Sequence, residues 1–318
     1  MRSMLSTLFP LTLAGSTLGA TYNIAKSTEG NAFFTDFNVI AEADPTHGLV
    51  NYVNLATAQS QGLLRVVNGN FQLRPDSTTV LTNGAGRNSV RMESAAQYDN
   101  HVVVFNVNHM PAACGTWPAL WEYGPNWPAN GEVDIVEGVN GVGPNSMTLH
   151  TSPGCSIPAS GLAMTGTVKP GDTNCDTSVN GNSGCSVASG FSNAYGAAFN
   201  ANGGGWYAME RTPSFIKVWF WPRGASNLPS DVNSGANTIN TSNWGEPDAL
   251  FPNTNCNIDS HFGPNNIVIN LTFCGDWAGQ ASVYASSGCP STCNDFVSNN
   301  PSAFANAYFE IPWVKVYQ

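Results

Sequence analysis

Charge is what this 318-residue chain lacks most: charged residues are 10% of it, with 11 Lys and Arg against 21 Asp and Glu and a formal net charge of −10. Basic side chains so few and so spread out leave no surface for nucleic acid or an anionic membrane, and no cluster for an acidic polymer. A neutral ligand fits better. No Cys-x-x-Cys pair and no finger-like His spacing occur among the eight cysteines and five histidines, so no metal site is expected from them. Long apolar runs are missing as well. Past the first twenty residues nothing approaches the roughly 20 apolar residues needed to cross a bilayer. Helical periodicity is nearly absent outside two short stretches, one near Ala56 and one in CNDFVSNNPSAFANA at 293–307.

What is present points outward from the cell. Residues 1–20, MRSMLSTLFPLTLAGSTLGA, carry one early Arg, an apolar run around Leu5 to Leu13 and small residues before Thr21. That is the layout of a secretory signal, cut near Gly19 or Ala20. A membrane anchor is the alternative, but the run is too short and contains Pro10. Residues 21–318 are then read as one extracellular domain, expected as a monomer. Cys114, Cys155, Cys175, Cys185, Cys256, Cys274, Cys289 and Cys293 form an even set that suits export and up to four disulfides. Eight cysteines allow 105 pairings, and the sequence does not choose among them. Asn240 and Asn270 head sequons that could carry glycans, Asn270 from within an apolar strand-like run.

Short alternating runs recur along the chain: LLRVV near Leu63, NSVRME from Asn88, HVVVFNVNHM from His101, SMTLHT from Ser146, GWYAMER from Gly205, SFIKVWFWPR from Ser214, NIVINLTF from Asn266 and the terminal WVKVYQ. Bounded by Gly, Pro, Asn and Ser, they predict strands, and their density predicts an all-β sandwich of two antiparallel sheets of jelly-roll kind. Between Thr151 and Gly205 the sequence turns to Gly, Ser, Asn and Thr with three cysteines, which predicts a long loop tied down by disulfides. Its Asp172-Thr-Asn174-Cys-Asp176 stretch begins like a calcium loop but lacks the turn Gly and the closing Glu, so a structural calcium ion is not indicated.

Against this background the stretch Gly131 to Gly138, GEVDIVEG, stands out: it holds Glu132, Asp134 and Glu137 with no Lys or Arg within six residues. On a regular strand Glu132 and Asp134 share a face and Glu137 points away. A solvated strand face or a calcium site would account for the acids, yet unpaired like charges weaken a sheet. One extra residue bulged between Asp134 and Glu137 would bring all three to one face. Four strand steps then separate Glu132 and Glu137 by about 13 Å at Cα. Side chains leaning inward by about 3.8 Å each leave about 5–6 Å between carboxyls, near the spacing of about 5–5.5 Å found in retaining glycosidases.

The run NGEVDIVEG resembles the active-site strand of glycoside hydrolase family 16. DPTHGLVNYV, GRNSVR, HMPAACGTWPALWE, NGGGWYAMERT and NLTFCGDWAGQ resemble its fungal secreted laminarinase branch. The resemblance implies a jelly-roll with an open cleft on its concave sheet, and retaining endo-hydrolysis of β-1,3- or mixed β-1,3/1,4-glucan without a cofactor. It implies Glu132 as nucleophile, Asp134 as its assistant and Glu137 as acid/base. Trp121, Trp127 and Trp277 resemble cleft positions, where an indole offers a flat platform to a pyranose and a free N–H; Trp206, Trp219 and Trp313 are expected in the core. His150 is expected beside the catalytic strand, sharing a face with Thr148. Arg87 and Asn88 could bond glucose hydroxyls, with an ion pair to a nearby acid as the alternative for the arginine. A wall-remodelling transglycosylase would use the same carboxylates, whereas a glucan-binding lectin would have no use for them.

Overall fold

The period-two runs do form strands, and two antiparallel sheets collect most of them. The computed structural model describes residues 20–82 and 84–318; residues 1–19 of the expected signal lie outside the described residues. One sheet has seven strands in the spatial order Thr238–Asn240, Thr21–Glu29, Trp313–Tyr317, His101–Val107, Gly205–Arg211, Phe215–Pro222 and Ala249–Pro252. The other has eight: Thr167–Val168, Cys185–Ala188, Ser146–His150, Glu132–Glu137, Thr116–Tyr123, Asn266–Phe273, Arg91–Ser94 and Phe37–Val39. The sheets are curled and stacked as a jelly-roll sandwich, and their facing sides share one core that includes Val103, Phe105, Met209, Leu120, Val133 and Ile269.

The seven-stranded sheet is covered on both faces at its middle strands, His101–Val107 and Gly205–Arg211. Its outer side packs Trp206, Trp219 and Trp221 under a segment that contributes Trp244, which explains why HVVVFNV reads as an uninterrupted apolar run: all seven residues are buried. Trp206 and Trp219 are core residues as expected, and Trp313 is partly buried against the same cluster. The eight-stranded sheet has a different outer side. There Trp117, Trp121 and Tyr123 alternate with buried Pro118, Leu120 and Glu122 and are left half-open, forming the floor of a cleft. Inward-facing Glu122 lies within the sandwich, 3.1 Å from His101 and 3.7 Å from Arg211.

Both expected helices appear, as Leu55–Ser60 and Cys293–Asn299. The polar segment after Thr151 is less of a loop than its composition predicts, since Thr167–Val168 and Cys185–Ala188 add two strands to the cleft sheet. Pieces of two and four residues are too short to carry a readable period. Four disulfides use all eight cysteines: Cys114–Cys289, Cys155–Cys256, Cys175–Cys185 and Cys274–Cys293. Two of them, Cys114–Cys289 and Cys274–Cys293, hold down the chain on either side of Trp277, and Cys175–Cys185 closes the loop over His150.

Candidate active site

The three acids of GEVDIVEG lie on strand Glu132–Glu137, and that strand is bulged. Asp134 pairs with Trp121 while Val136 pairs with Leu120, so Ile135 has no partner on the strand Thr116–Tyr123. Val133, Ile135 and Val136 are all fully buried, and Glu132, Asp134 and Glu137 share the cleft face. The bulge is held by one side chain that no local pattern singles out. Asn145, itself buried, donates Nδ2–H to the Ile135 carbonyl at 3.0 Å and accepts the Glu137 N–H at 2.9 Å. Its amide thus stands in for rungs that the neighbouring strand, paired only as far as Asp134↔Thr148, does not supply.

Each glutamate is oriented by an indole. Trp127 donates Nε1–H to Glu132 Oε2 at 2.6 Å, and Trp117 donates to Glu137 Oε1 at 2.9 Å. One oxygen of each carboxyl is tied, and the other is free of that bond. Trp121 gives its N–H to Asn270 Oδ1 at 2.8 Å. The expectation of free indole N–H groups on Trp121 and Trp127 is therefore corrected: both are spent on protein acceptors, and what these residues can offer a sugar is their ring faces. Trp127 is 43% exposed. Trp277, in the short helix Gly275–Ala278, meets Trp117 edge-on at 5.6 Å and so reaches the Glu137 side of the cluster.

His150 pairs with Glu132, and Thr148 with Asp134, on the adjoining strand. Its Nε2 stands 3.4 Å from Asp134 Oδ2 and 3.9 Å from Glu132 Oε1. Burial alone would lower the imidazole pKa, but Glu132 and the bond to Asp134 outweigh it and raise it to about 10, so the ring is a cation at neutral pH. Burial, then the charges of Glu132 and Glu137, push the Asp134 carboxyl well above the usual carboxylate range. Glu137 is raised too, chiefly by desolvation, with the Trp117 bond and the His150 charge opposing.

A second cation, unremarked in the sequence, approaches the acids from the other side. Lys169 donates to Ser146 Oγ at 2.7 Å and lies over the Trp277 ring, 5.5 Å from its centroid. A lone lysine at the edge of a Gly/Ser/Thr-rich stretch carries no periodic signal, so only the fold brings it here.

Two expectations are corrected by placement, those for Arg87 and for a glycan at Asn270. Arg87 is fully buried, donating to the Asp76, Thr79 and Val297 carbonyls and pairing with Asp76 Oδ2 at 3.3 Å; it braces the fold and has no surface left for a sugar. Asn88 belongs with it to a separate two-stranded sheet and bonds Asn51 and Gln61, with no bond to the acid cluster among the described residues. The arginine on the cleft face is Arg91, which pairs with Glu93 at 2.8 Å and lies over the Trp121 and Tyr123 rings at 5.0 and 5.4 Å. Asn270 is 7% exposed and uses both ends of its amide, on Trp121 and on Tyr52 Oη, so it is a cleft-floor residue with no room for a glycan. Asn240 caps a surface turn, where its Oδ1 accepts from the Ser242 N–H.

An uncovered polar sheet face with paired carboxyl groups raised from one strand is the equipment of a glycoside hydrolase. The family model described as XgeA-like, catalytic GH16 domain matches residues 37–317, and the chain belongs to that family. It is 41% identical over 324 residues, 98% of its length, to an Aspergillus fumigatus protein named Probable endo-1,3(4)-beta-glucanase, of which it spans only 48%. Among solved structures, Laminarinase 16A from Phanerochaete chrysosporium, with beta-glucans in donor and acceptor sites, superposes with a TM-score of 0.92 at 58% identity over 94% of this chain and 100% of that one. An elongating GH family 16 beta-1,3-glucosyltransferase gives 0.85 at 40% identity over 93% and 100%.

Proposed function

We propose that the chain is a secreted endo-1,3(4)-β-glucanase that cleaves β-1,3-glucan and mixed β-1,3/1,4-glucan with retention of configuration. One observation carries the reading: the bulge at Ile135 puts Glu132 and Glu137 on one open face, each with one oxygen fixed by an indole N–H. Two acids on one strand flank a bond from opposite sides of a sugar ring only if the glucan runs across the strands. Oε1 of Glu132, the oxygen that Trp127 leaves free, attacks the anomeric carbon. As the glycosidic C–O bond breaks, Glu137 passes its proton to the leaving oxygen, and a glycosyl ester forms on Glu132. Loss of the Glu132 charge then removes one of the influences that held the proton on Glu137. Glu137 can now take a proton from water, which attacks the anomeric carbon and frees Glu132. The His150 cation stays beside Asp134 and the nucleophile throughout. No cofactor enters either step.

Digestion of laminarin, lichenan and a pure β-1,4-glucan side by side, in EDTA, tests this reading. Sugar release from the first two with the β-anomer formed first is expected. Release from the β-1,4-glucan alone, or α-anomer formed first, would overturn it. The 40% identical glucosyltransferase makes transfer the competing outcome, and an added acceptor oligosaccharide that is elongated faster than water is consumed would establish it.

A pH dependence follows from the cleft charges. Catalysis needs the Glu137 proton, so activity falls as pH rises through its raised pKa. Lys169 opposes that rise, while Glu132 adds to it and His150 opposes it; Asp134 stands beside the pair, and buried Tyr195 packs against the adjacent Gly138. Lys169→Met removes one opposing charge, and the alkaline limb of kcat/KM should move to higher pH. The pH–rate profile of the variant checks the sign.

A further inference from the structure

Nothing in the double displacement calls on the loop between Cys175 and Cys185, yet that loop rests on the catalytic cluster. It is a short ring closed by its own disulfide and continues directly into strand Cys185–Ala188, where Cys185 pairs with Leu149 and Ser186 with Thr148. Inside it Asn180, Gly181 and Asn182 are consecutive left-handed residues, with φ of 53°, 63° and 62°, a conformation that Asn and Gly adopt more readily than other residues. The resulting curl turns the Asn182 side chain back toward the cleft, where Oδ1 lies 3.0 Å from His150 Nδ1. Gly184, at φ 66°, lets the main chain lie flush on the ring. A Cβ there would come within 2.9 Å of His150 Cε1, 2.7 Å of Thr148 Cγ2 and 2.6 Å of the Leu149 carbonyl.

We propose that the Cys175–Cys185 loop is a positioning clamp for the active site, in which Asn182 Oδ1 accepts from His150 Nδ1 and thereby fixes the imidazole with Nε2 toward Asp134 and Glu132. The argument is one of donor inventory. An imidazolium carries two N–H donors and needs an acceptor for each. Nε2 faces the Asp134 and Glu132 carboxylates, at 3.4 and 3.9 Å, and Asn182 satisfies Nδ1. A ring turned over by half a rotation would direct C–H groups at both partners. Asn182 touches neither acid, so it acts through His150 as a positioning residue. The disulfide acts one step further back, by holding the curl closed.

The proposal rests on the catalytic reading above, so the test has one arm that does not. Asn182→Ala should lower kcat on laminarin by about tenfold, with KM changed by no more than about twofold. Asn182→Asp, which keeps the acceptor, should restore most of that loss, and the Cys175→Ser/Cys185→Ser pair should reproduce it. Independently of activity, nitrogen-15 spectra of the histidine side chains should show a His150 Nδ1–H protected from exchange in the parent and in Asn182→Asp, but not in Asn182→Ala. Parental kcat in Asn182→Ala, or equal losses in the Ala and Asp variants, would overturn the proposal. A parent that cleaves no glucan sinks the catalytic reading instead, and the spectra then decide the clamp. Should Asn182→Ala fail to fold, an unprotected Nδ1–H in the parent overturns the clamp by itself.

Discussion

Glu132→Gln and Glu137→Gln should each abolish glucan cleavage while leaving the fold intact, and they should fail in different ways. The amide matches the carboxyl in size and can still accept the indole N–H of Trp127 or Trp117, so circular dichroism and the melting temperature should stay near parental. Removing the general acid should lower kcat on polysaccharide by about 10²–10⁴-fold. Removing the nucleophile should cost at least as much, because no covalent ester can form. An aryl β-laminaribioside with a good leaving group separates the two roles. It needs no proton to depart, so Glu137→Gln should release a burst of phenolate equal to the enzyme present and then stall, lacking a base to activate water. Glu132→Gln should give no burst. A burst from Glu132→Gln and none from Glu137→Gln would exchange the roles, and parental rates in both would remove the chemistry from this strand.

How much of this was legible beforehand depends on whether the information was local. The acids were, because period-two parity makes Glu137 an anomaly that a one-residue bulge resolves, and the bulge is where parity requires it. The strand runs with β-branched alternation were legible for the same reason. Contacts that join distant segments were not. Asn145, Lys169 and Asn182 are single polar residues in stretches full of Asn, Ser and Gly, and nothing about their neighbours marks them. Their value comes from folding back on Ile135, Ser146 and His150. GRNSVR shows the limit most clearly. It presents two arginines four residues apart, and the chain leaves one sheet and enters another between them. Arg87 is turned into the protein and Arg91 onto the cleft face, and no local pattern separates them. The sequon at Asn270 fails likewise: the motif is local, but the burial that excludes a glycan comes from Trp121 and Tyr52 on other segments.

Cys274–Cys293 and Cys114–Cys289 secure the Trp277 side of the cleft, and Cys175–Cys185 secures the His150 side. The acids themselves stand on a strand whose regular pairing is interrupted at the bulge. Such an arrangement puts the rigid closures in the flanking loops and leaves the central irregularity dependent on hydrogen bonds. Asn145 is the bond-maker there, and its amide bridges the bulged Ile135 carbonyl and the Glu137 N–H.

Asn145→Leu, close in size but unable to bond, should therefore damage stability and catalysis together. The Ile135 carbonyl and the Glu137 N–H would each be left buried without a partner, at about 1–3 kcal/mol apiece. The sum, about 2–6 kcal/mol, corresponds to a fall of roughly 4–12 °C in Tm for a domain of this size. Relief is open to the chain by straightening the bulge, and straightening rotates Glu137 toward the core, where Val136 now lies. Even a displacement of about 1 Å of the acid can cost about 10²-fold in kcat, so the activity loss should exceed what unfolding at the assay temperature explains. Asn145→Asp keeps the acceptor for the Glu137 N–H and loses only the donor to Ile135, so it should fall between parent and Leu in Tm. Calorimetry and laminarin kinetics on the three proteins check this order. A Leu variant with parental kcat would mean that the main chain holds the bulge unaided, and that the neighbouring strand, not Asn145, sets the position of Glu137.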